Sequence, residues 1–348
     1  MANTKENKRT IYIVIGNGFS IDIIEKIGKS QDIDLINLFS KSDLVPWPDK
    51  KIECFLSKKH CPELWLLGAR ATVSKEKALS LIDDIITSMN AYYLYDKDSD
   101  RTMETKRSPY YLAYCQLVSY LKNLFIYYNS RISDDELREY IGRKIGFIEY
   151  IIKIISKNNK LRIITYNYDI LLERILTLCN IEYKIAGFDS FSITDSLVIF
   201  KPHGSISFVS KLKRDKSQSY NIIKDPNDSM NMKIDEMEID MRIENDISNI
   251  NPIIPPAGDA NRVPDGWSVD INEKLRECIK NSKSEDELII YGISYGHVDR
   301  NEIDKIITTL PYKIDVKYIN PYPSSTFDMV LGSIFENYSH YKDFYLEV

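Results

Sequence analysis

The pattern of apolar and polar positions divides the chain into three stretches. A short apolar run at residues 11–15 is followed by Gly16 and Gly18, which is typical of a buried strand that turns into a helix. From about residue 73 to residue 158, apolar residues recur every three or four positions, which predicts helices. Beyond residue 160, short apolar runs again alternate with helical segments. This alternation predicts a parallel sheet with helices on both faces.

The helical stretch contains two helix-start signals. Pro109 stands where a second helix could begin, because proline is favoured in the first turn of a helix. Ser133 and Glu136 form a capping-box pair, after which apolar residues continue at helical spacing to Ile155. We therefore predict three helices here, of which the third starts at Ser133. A polar, proline-containing stretch before residue 73 predicts a loop.

These patterns predict an α/β fold, namely a Rossmann-like parallel sheet with helices on both faces and a large helical insertion. The Rossmann-like domain would comprise residues 1–29 and 159–348, and the mainly helical insertion residues 30–158. Within the sheet domain, residues 211–250 are the least core-like and carry many charges, which predicts a mobile loop or a solvated hairpin. The alternative for this region is a surface for a partner or for self-assembly. The predicted strands are residues 11–15, 161–165, 196–200, 287–291 and 314–319.

The composition argues against several classes of protein. The five cysteines are scattered and odd in number, so we expect no disulfide framework. A net charge of -5 gives no electrostatic reason to expect binding to nucleic acid or to an anionic membrane. No apolar stretch is long enough to cross a bilayer, and the basic residues near the start precede only a short apolar run. We therefore predict a cytoplasmic protein without a leader peptide.

Glycines or polar residues follow five of the predicted strands. In an open parallel sheet, ligands bind beyond the carboxyl ends of the strands. One such group could occur by chance, but five at the same edge indicate a binding site. The five groups are Gly16–Ser20, Asn167–Asp169, His203–Ser205, Gly292–Ser294 and Asn320.

The glycine turn after the first strand suits a phosphate. Gly16 and Gly18 allow backbone N–H groups to approach a ligand closely, and the following helix points its partially positive N-terminus at the turn. However, the dinucleotide-binding fingerprint has a third glycine where this chain has Ile21. An ordinary strand–turn–helix corner would explain the turn equally well.

Two polar residues at this edge are candidates for catalysis. The imidazole of His203 could take a proton from a ribose hydroxyl or from water near neutral pH, although a single histidine is more often structural. The Asn167 amide can donate to and accept from sugar hydroxyls or a water at the same time. Asp169 is also a suitable helix cap, so both it and Asn167 could be purely structural.

Other kinds of catalytic site match the sequence poorly. Cys54, His60 and Cys61 are close in the sequence, but no second pair completes a tetrahedral set, so we predict no metal. The chain has neither the Gly-x-Ser-x-Gly turn of many serine hydrolases nor the Gly-Lys-Ser/Thr phosphate loop of ATPases.

In their order and spacing, five motifs of the chain resemble those of the sirtuin superfamily. Sirtuins have Gly-Ala-Gly-x-Ser, Thr-Gln-Asn-x-Asp, His-Gly, Gly-Thr-Ser and a strand that ends in Asn. The sequence is more similar to the sirtuin-like domain of bacterial anti-phage defence proteins, which favours Gly-x-Gly-Phe-Ser, Asn-Tyr-Asp followed by Leu-Leu-Glu, and His-Gly-Ser. The corresponding residues here are Gly16–Ser20, Thr165–Asp169, Leu171–Glu173, His203–Ser205, Gly292–Ser294 and Ile319–Asn320.

The resemblance implies that NAD+ is the substrate and that its hydrolysis depletes NAD+ during phage infection. Asn167 would orient the nicotinamide ribose or the attacking water with support from Asp169, and His203 would be the general base. Asp22 would reinforce the glycine turn, and the adenosine ribose would be held by Ser294 and Asn320. The residues implied in holding the pyrophosphate and the nearby ribose are Gly16, Gly18, Phe19 and Ser20.

Two departures from the family pattern argue against protein deacylation. Sirtuin deacylases carry a four-cysteine zinc module after the catalytic histidine, whereas only Cys278 lies downstream of His203 here. In addition, Tyr166 replaces the glutamine of the Thr-Gln-Asn motif. The alternatives to an NAD+ glycohydrolase are a non-catalytic module that senses NAD or ADP-ribose, a deacylase and an ADP-ribosyltransferase. Since unrestrained NAD+ hydrolysis would kill the host, we expect control by homo-oligomerisation, by a partner such as the DNA-translocase-type ATPase known in the family, or by both.

Overall fold

A computed structural model of the chain describes residues 8–96, 109–192, 194–212, 219–225, 227–243, 250–256, 266–296 and 300–344. At its centre is a sheet of seven parallel strands with helices on both faces. The predicted α/β, Rossmann-like fold with a helical insertion is therefore confirmed.

The strands within these ranges are β1 (Thr10–Ile15), β2 (Pro46–Trp47), β3 (Lys50–Cys54), β4 (Lys160–Thr165), β5 (Lys184–Ile185), β6 (Leu197–Phe200), β7 (Phe208–Ser210), β8 (Met237–Ile239), β9 (Glu287–Tyr291), β10 (Asp315–Ile319) and β11 (Asn337–Tyr341). The helices are α1 (Asn17–Lys26), α2 (Pro62–Leu66), α3 (Lys75–Asp96), α4 (Pro109–Ser130), α5 (Asp134–Gly142), α6 (Gly146–Ser156), α7 (Leu171–Leu178), α8 (Asn227–Met230), α9 (Gly266–Lys280), α10 (Arg300–Ile307) and α11 (Ser325–Ile334).

The carboxyl ends of four neighbouring strands lie level at one edge of the sheet. In space the strands run in the order β11, β10, β9, β1, β4, β6, β5. The register aligns Ile15 at the end of β1 with Thr165 at the end of β4 and with Tyr291 at the end of β9. Tyr291 is aligned in turn with Ile319, the last residue of β10. The residues that follow these four strands therefore begin side by side at the carboxyl edge of the sheet.

Each face of the sheet carries its own apolar core. Helices α1, α6 and α7 cover one face, called here the α1 face, and α9, α10 and α11 cover the opposite, α10 face. Along β1, Ile11, Ile13 and Ile15 belong to the core of the α1 face, whereas Tyr12 and Val14 belong to the other core. The chain leaves β1 towards the α1 face but leaves the adjacent β9 towards the α10 face. Such a change of face between neighbouring strands is where ligands bind in folds of this class.

The insertion packs against the α1 face. It consists of the β2–β3 hairpin and helices α2–α6, and its buried side chains belong to the same core as those of α1 and α7. Helix α6 lies directly on the sheet, where the ring of Phe147 is 5.1 Å from that of Phe19 and 5.7 Å from that of Tyr291. The insertion and the sheet therefore share one apolar core.

Three local predictions differ from the structure. The third predicted helix is two helices, α5 and α6, because the chain turns at Lys144, whose φ of 55° lies in the left-handed region. The polar stretch predicted as loop contains β2, β3 and α2. The apolar pattern does not predict β11, because this partly exposed edge strand reads Asn-Tyr-Ser-His-Tyr.

The helix start predicted at Ser133 is confirmed. Both hydrogen bonds of the capping box are present at Ser133, and the described part of α4 starts at Pro109. All five cysteines are free thiols. The prediction of a mobile loop or a solvated hairpin for residues 211–250 is wrong for part of this region. Strands β7 and β8 pair antiparallel on either side of residues 211–236, but apolar side chains that stand between the charges are buried in the two cores, namely Tyr220, Met232, Met237 and Ile243. Residues 213–218, 226 and 244–249 lie outside the described residues. Among the helices of the described ranges, none combines the length and the apolar character needed to cross a bilayer.

The capping box of α5 makes stability depend on pH. The bond from the Lys29 ammonium and the bond from the Ser133 N–H lower the pKa of Glu136 from 4.5 to about 2. Because the folded-state pKa is depressed, the stabilisation is complete above pH 4.5 and is lost as the pH falls towards 2. We therefore expect Glu136→Gln to lower the free energy of unfolding at neutral pH, and this loss to shrink as the pH falls through that range. Urea unfolding as a function of pH measures it.

Glu139→Gln is the matched control for this experiment. Glu139 lies on the same helix, but its ion pair with Arg143 is exposed on both sides, and exposed pairs contribute little. We expect this variant to unfold like the wild type at every pH. A loss for Glu136→Gln that stays constant from neutral pH to pH 2 would contradict the assignment.

Candidate functional site

The predicted site residues lie in or just after the segments that follow five neighbouring strands of the sheet. The segment after β1 carries five of them, that after β4 two, and those after β6, β9 and β10 one each. In this order they are Gly16, Gly18, Phe19, Ser20 and Asp22, then Asn167 and Asp169, then His203, Ser294 and Asn320.

Asn167 is the centre of a hydrogen-bonded cluster. Its Nδ2 donates to the carbonyl oxygen of Gly16 at 3.0 Å and to the Oγ of Ser20 at 2.9 Å. The Ser20 hydroxyl donates in turn to Oδ2 of Asp169 at 2.7 Å. The other carboxylate oxygen of Asp169 accepts from the N–H of Leu171 at 3.0 Å, where α7 begins. Ser20, Asn167 and Asp169 are called the amide cluster below.

The amide cluster leaves one polar atom of Asn167 available. Because both hydrogens of its amide are donated, the orientation of the side chain is set. In the part of the chain that the structure describes, Oδ1 of Asn167 accepts no hydrogen bond, and the residue is partly exposed. This oxygen can therefore accept a hydrogen bond from a hydroxyl or a water bound at the edge of the sheet.

The glycines after β1 let two loops pack closely. The N–H of Gly16 donates to the carbonyl oxygen of Tyr291 at 3.0 Å, and that of Gly18 to the carbonyl oxygen of Gly292 at 2.9 Å. A Cβ on Gly18 would lie 2.7 Å from the Cα of Gly292, so only glycine fits there. The N–H of Phe19 donates to Gly16, and its ring is buried. These contacts are those of a strand–turn–helix corner, and pyrophosphate binding at this turn stays a prediction.

His203 lies on the α10 face of the strand edge. The residue is 4% exposed, and its ring lies 4.7 Å from the ring of Tyr166. Its Nε2 is 3.7 Å from Oε1 of Glu302 on α10. The amide cluster, by contrast, contacts α1. Tyr166 directly precedes Asn167 in the chain, so the two catalytic candidates flank the end of β4 and are linked through Tyr166.

Backbone hydrogen bonds hold the segments after β4 and β6 together. The N–H of Ile206 donates to the carbonyl oxygen of Tyr168 at 2.9 Å. The hydroxyl of Tyr168 donates to the carbonyl oxygen of Ile254 at 2.6 Å, and the N–H of Ile254 donates to the carbonyl oxygen of His203 at 3.0 Å. Residues 250–256 therefore form a strap across the segment that carries His203.

The two residues predicted to hold the adenosine ribose differ in exposure. Ser294 is exposed beyond the end of β9. The Nδ2 of Asn320 donates to the carbonyl oxygen of Ile293 at 2.9 Å and to the Tyr318 hydroxyl at 3.0 Å. Its Oδ1 accepts from the N–H of Tyr322 at 2.9 Å. The Asn320 amide thus fastens the loop that carries Ser294, and a ribose would have to replace one of these bonds to be held by it.

The polar contacts of Asp22 lie outside the amide cluster. Its carboxylate pairs with Lys26 at 2.8 Å and accepts from the Tyr291 hydroxyl at 3.2 Å. Burial and the nearby Asp22 carboxylate raise the pKa of Tyr291, so this hydroxyl stays protonated and remains a donor. The structure therefore joins Asp22 to β9 on the α1 face.

Two charged residues to which the sequence analysis assigns no role lie beside the amide cluster. Lys201, directly after β6, is fully buried, and its Nζ donates to the carbonyl oxygen of Asp169 at 2.6 Å. It also pairs with Oε1 of Glu173 on α7 at 2.7 Å. In the sequence each charge directly follows an apolar run, at Ile199–Phe200 and Leu171–Leu172, and Glu173 also ends the Leu-Leu-Glu motif of the resemblance.

The cysteine and histidine group in the insertion has structural partners. The ring of His60 stacks on Trp47 at 3.8 Å, and its Nε2 contacts Glu53 at 2.6 Å. Bonds from Lys59 and His60 lower the pKa of Glu53 to about 2, so the carboxylate stays charged. The thiol of Cys61 is buried. No group of three or more metal-ligating side chains occurs among the residues that the structure describes.

A comparison with the models of known protein families finds no match, and no curated protein matches the chain. The site is therefore interpreted from its own geometry, and the resemblance to sirtuins stays a prediction from the sequence.

Proposed function

We propose that the chain binds NAD+ at the carboxyl edge of the sheet and hydrolyses the bond between nicotinamide and ribose. The observation that carries this proposal is the orientation of Asn167. Its amide is held by Gly16 and Ser20, and its Oδ1 is left to accept from a hydroxyl or water. An acceptor of this kind beside a sugar ring is what cleavage at the anomeric carbon uses.

The reaction needs little acid catalysis. The bond between the ribose C1′ and the nicotinamide nitrogen breaks, both electrons go to nicotinamide, and the cationic ring leaves as a neutral molecule. The ribose acquires oxocarbenium character and is captured by water, which loses a proton. Asn167 orients a ribose hydroxyl or this water, and His203 takes the proton as general base. The products are nicotinamide, ADP-ribose and one proton.

Several contacts support the proposed location. The amide cluster stands next to the border between β1 and β9, where the connections leave on opposite faces. The dinucleotide would extend from the amide cluster over this border towards the exposed Ser294. His203 contacts the ring of Tyr166, and Tyr166 directly precedes Asn167 in the chain.

The biological role that the sequence resemblance implies is part of the proposal. NAD+ depletion during phage infection would stop phage replication at the expense of the infected cell. Such an activity requires a trigger, which we propose to be self-association, a partner chain such as a DNA-translocase-type ATPase, or both. The protein would act in the cytoplasm, where its substrate is.

A second candidate function is binding of NAD+ or ADP-ribose without turnover. The 4% exposure of His203 favours it, because a general base must contact the group from which it takes a proton. Binding alone needs neither Asn167 nor His203 as a reactive group. A deacylase or ADP-ribosyltransferase would in addition require a protein substrate at the same edge.

The full-length protein incubated with NAD+ distinguishes the two candidates. We expect nicotinamide and ADP-ribose to appear in equal amounts by chromatography, with the protein alone or together with the products of neighbouring genes. Calorimetric titration with NAD+ measures binding in parallel. Binding without nicotinamide release would favour the second candidate, and neither binding nor release would contradict both.

A further inference from the structure

A buried ion pair contacts the backbone of the amide cluster at Asp169. The side chains of Lys201 and Glu173 are 1% and 0% exposed, and their Nζ and Oε1 atoms are 2.7 Å apart. Lys201 follows the last residue of β6, and Glu173 lies in the first turn of α7. The pair therefore joins the strand that leads to His203 and the helix that begins after Asp169.

A chain of contacts leads from this pair to Asn167. The Lys201 ammonium donates to the carbonyl oxygen of Asp169 at 2.6 Å, which holds the backbone at that residue. The Asp169 carboxylate accepts from Ser20 at 2.7 Å, and Ser20 accepts from the Asn167 amide at 2.9 Å. A displacement of the Asp169 backbone would therefore change the position of the Ser20 hydroxyl and the orientation of the Asn167 amide.

Stability alone does not account for such a pair. Removing two charges from water is costly, and apolar residues of similar volume often replace a buried ion pair without loss. The cost is larger here, because Oε2 of Glu173 is buried without a hydrogen-bond partner among the described residues. An apolar pair at these positions could fill the same space but could not donate a hydrogen bond to the carbonyl oxygen of Asp169.

We propose that Lys201 is a positioning residue for the candidate reaction, acting through its hydrogen bond to Asp169, with Glu173 compensating its charge. The proposal rests on the function proposed above, and it assigns to Lys201 no contact with the substrate. What Lys201 sets is the orientation of the Asn167 amide.

The double variant Lys201→Met with Glu173→Leu separates positioning from stability. Lys201→Met alone leaves a buried, unpaired carboxylate and is expected to be strongly destabilised. The double variant removes both charges, so we expect its stability to return close to that of the wild type. Because the bond to Asp169 is still lost, we expect its kcat for nicotinamide release to stay about 10- to 100-fold low, with KM little changed.

Glu173→Gln is the conservative variant. The glutamine keeps an acceptor for Lys201, so the bond to Asp169 remains, and we expect kcat near that of the wild type. Because the Lys201 charge is no longer compensated, we expect this variant to be less stable than the wild type, so its kcat is measured on the folded fraction. If Glu173→Gln were as slow as the double variant, positioning through Lys201 would be contradicted. This comparison also decides the case in which the double variant folds poorly.

Lys317→Met is the matched control. Lys317 pairs with the buried Glu287 at 2.7 Å, but this pair lies between β9 and β10, where β9 begins, at the opposite edge from the site. We expect Lys317→Met to be less stable than the wild type with an unchanged kcat. Equal losses of kcat in Lys317→Met and Lys201→Met would mean that the effect of Lys201 is only structural.

Hydrogen exchange gives a result that does not depend on activity. In the double variant we expect faster amide exchange in the peptide that covers residues 166–173 and wild-type exchange in the strands of the sheet. Unchanged exchange in that peptide, or a double variant with wild-type kcat, would overturn the positioning role. If the wild type does not hydrolyse NAD+, the proposed function fails, and the exchange result alone then decides whether Lys201 holds Asp169 in place.

Discussion

Asn167→Ala is expected to lower the rate of nicotinamide release from NAD+ by about 100- to 1,000-fold, the effect of removing one oriented polar group from a transition state. The variant removes the Oδ1 acceptor that the amide cluster orients. It also removes the two bonds from Nδ2 to Gly16 and Ser20, which at this partly exposed position contribute about 1 kcal/mol each to the free energy of unfolding. Chromatography of the products and thermal unfolding measure the two effects separately.

Asn281→Ala is the control for this variant. Asn281 is an exposed asparagine at the end of α9, and its Nδ2 donates only to the carbonyl oxygen of Glu277. We expect wild-type turnover from it. His203→Ala is the companion variant and should also abolish turnover without unfolding the chain. Full turnover in both Asn167→Ala and His203→Ala would refute the catalytic assignment.

Gly204→Ala is expected to destabilise the protein by about 2–4 kcal/mol, because strain in the backbone and a steric clash add together. Gly204 has a φ of 84°, which an L-residue rarely adopts. A Cβ at this position would lie 2.0 Å from the carbonyl oxygen of Pro252 in the strap 250–256. Because this oxygen belongs to the backbone, a change of side-chain rotamer cannot relieve the clash. The midpoint of urea unfolding measures the loss.

Gly28→Ala separates the strain from the clash. Gly28 has a similar φ of 73°, but nothing lies within 4 Å of the position of its Cβ. We expect this variant to lose only about 1 kcal/mol, the usual cost of the left-handed conformation. If Gly204→Ala and Gly28→Ala lost the same amount, close packing of the strap on Gly204 would not be what makes glycine necessary there.

Secondary structure was predicted best where its signal is local. The capping box at Ser133 depends on residues three positions apart, and the β1 and β4 runs depend on adjacent apolar residues, so a single sequence contains the whole signal. The break between α5 and α6 at Lys144 carries no such signal, since apolar residues continue at helical spacing on both sides. There the packing of Phe147 against Phe19 of α1 and Tyr291 of β9 outweighs helix continuity.

In the candidate site, too, the sequence predicts some features, and only the tertiary structure decides others. That polar residues meet at one edge follows from the parallel sheet, because all parallel strands end on the same side. Which of them remain available to a ligand does not follow. Asn167 and Asn320 both follow strands, yet the amide of Asn320 has both a donor and an acceptor bond inside the protein, whereas Oδ1 of Asn167 has none among the described residues.

The order of apolar and polar residues was thus sufficient to establish the fold class and the edge of the sheet at which to look for a site. Three contacts are decided only by the tertiary structure. They are the pairing of Lys201 with Glu173, the donation of the Gly18 N–H to Gly292 and the contact of His203 with Tyr166. The physical reason is that periodicity reflects burial averaged over several neighbouring residues. A hydrogen bond or a charge pair instead depends on the positions of individual atoms from distant parts of the chain, to within a few tenths of an ångström.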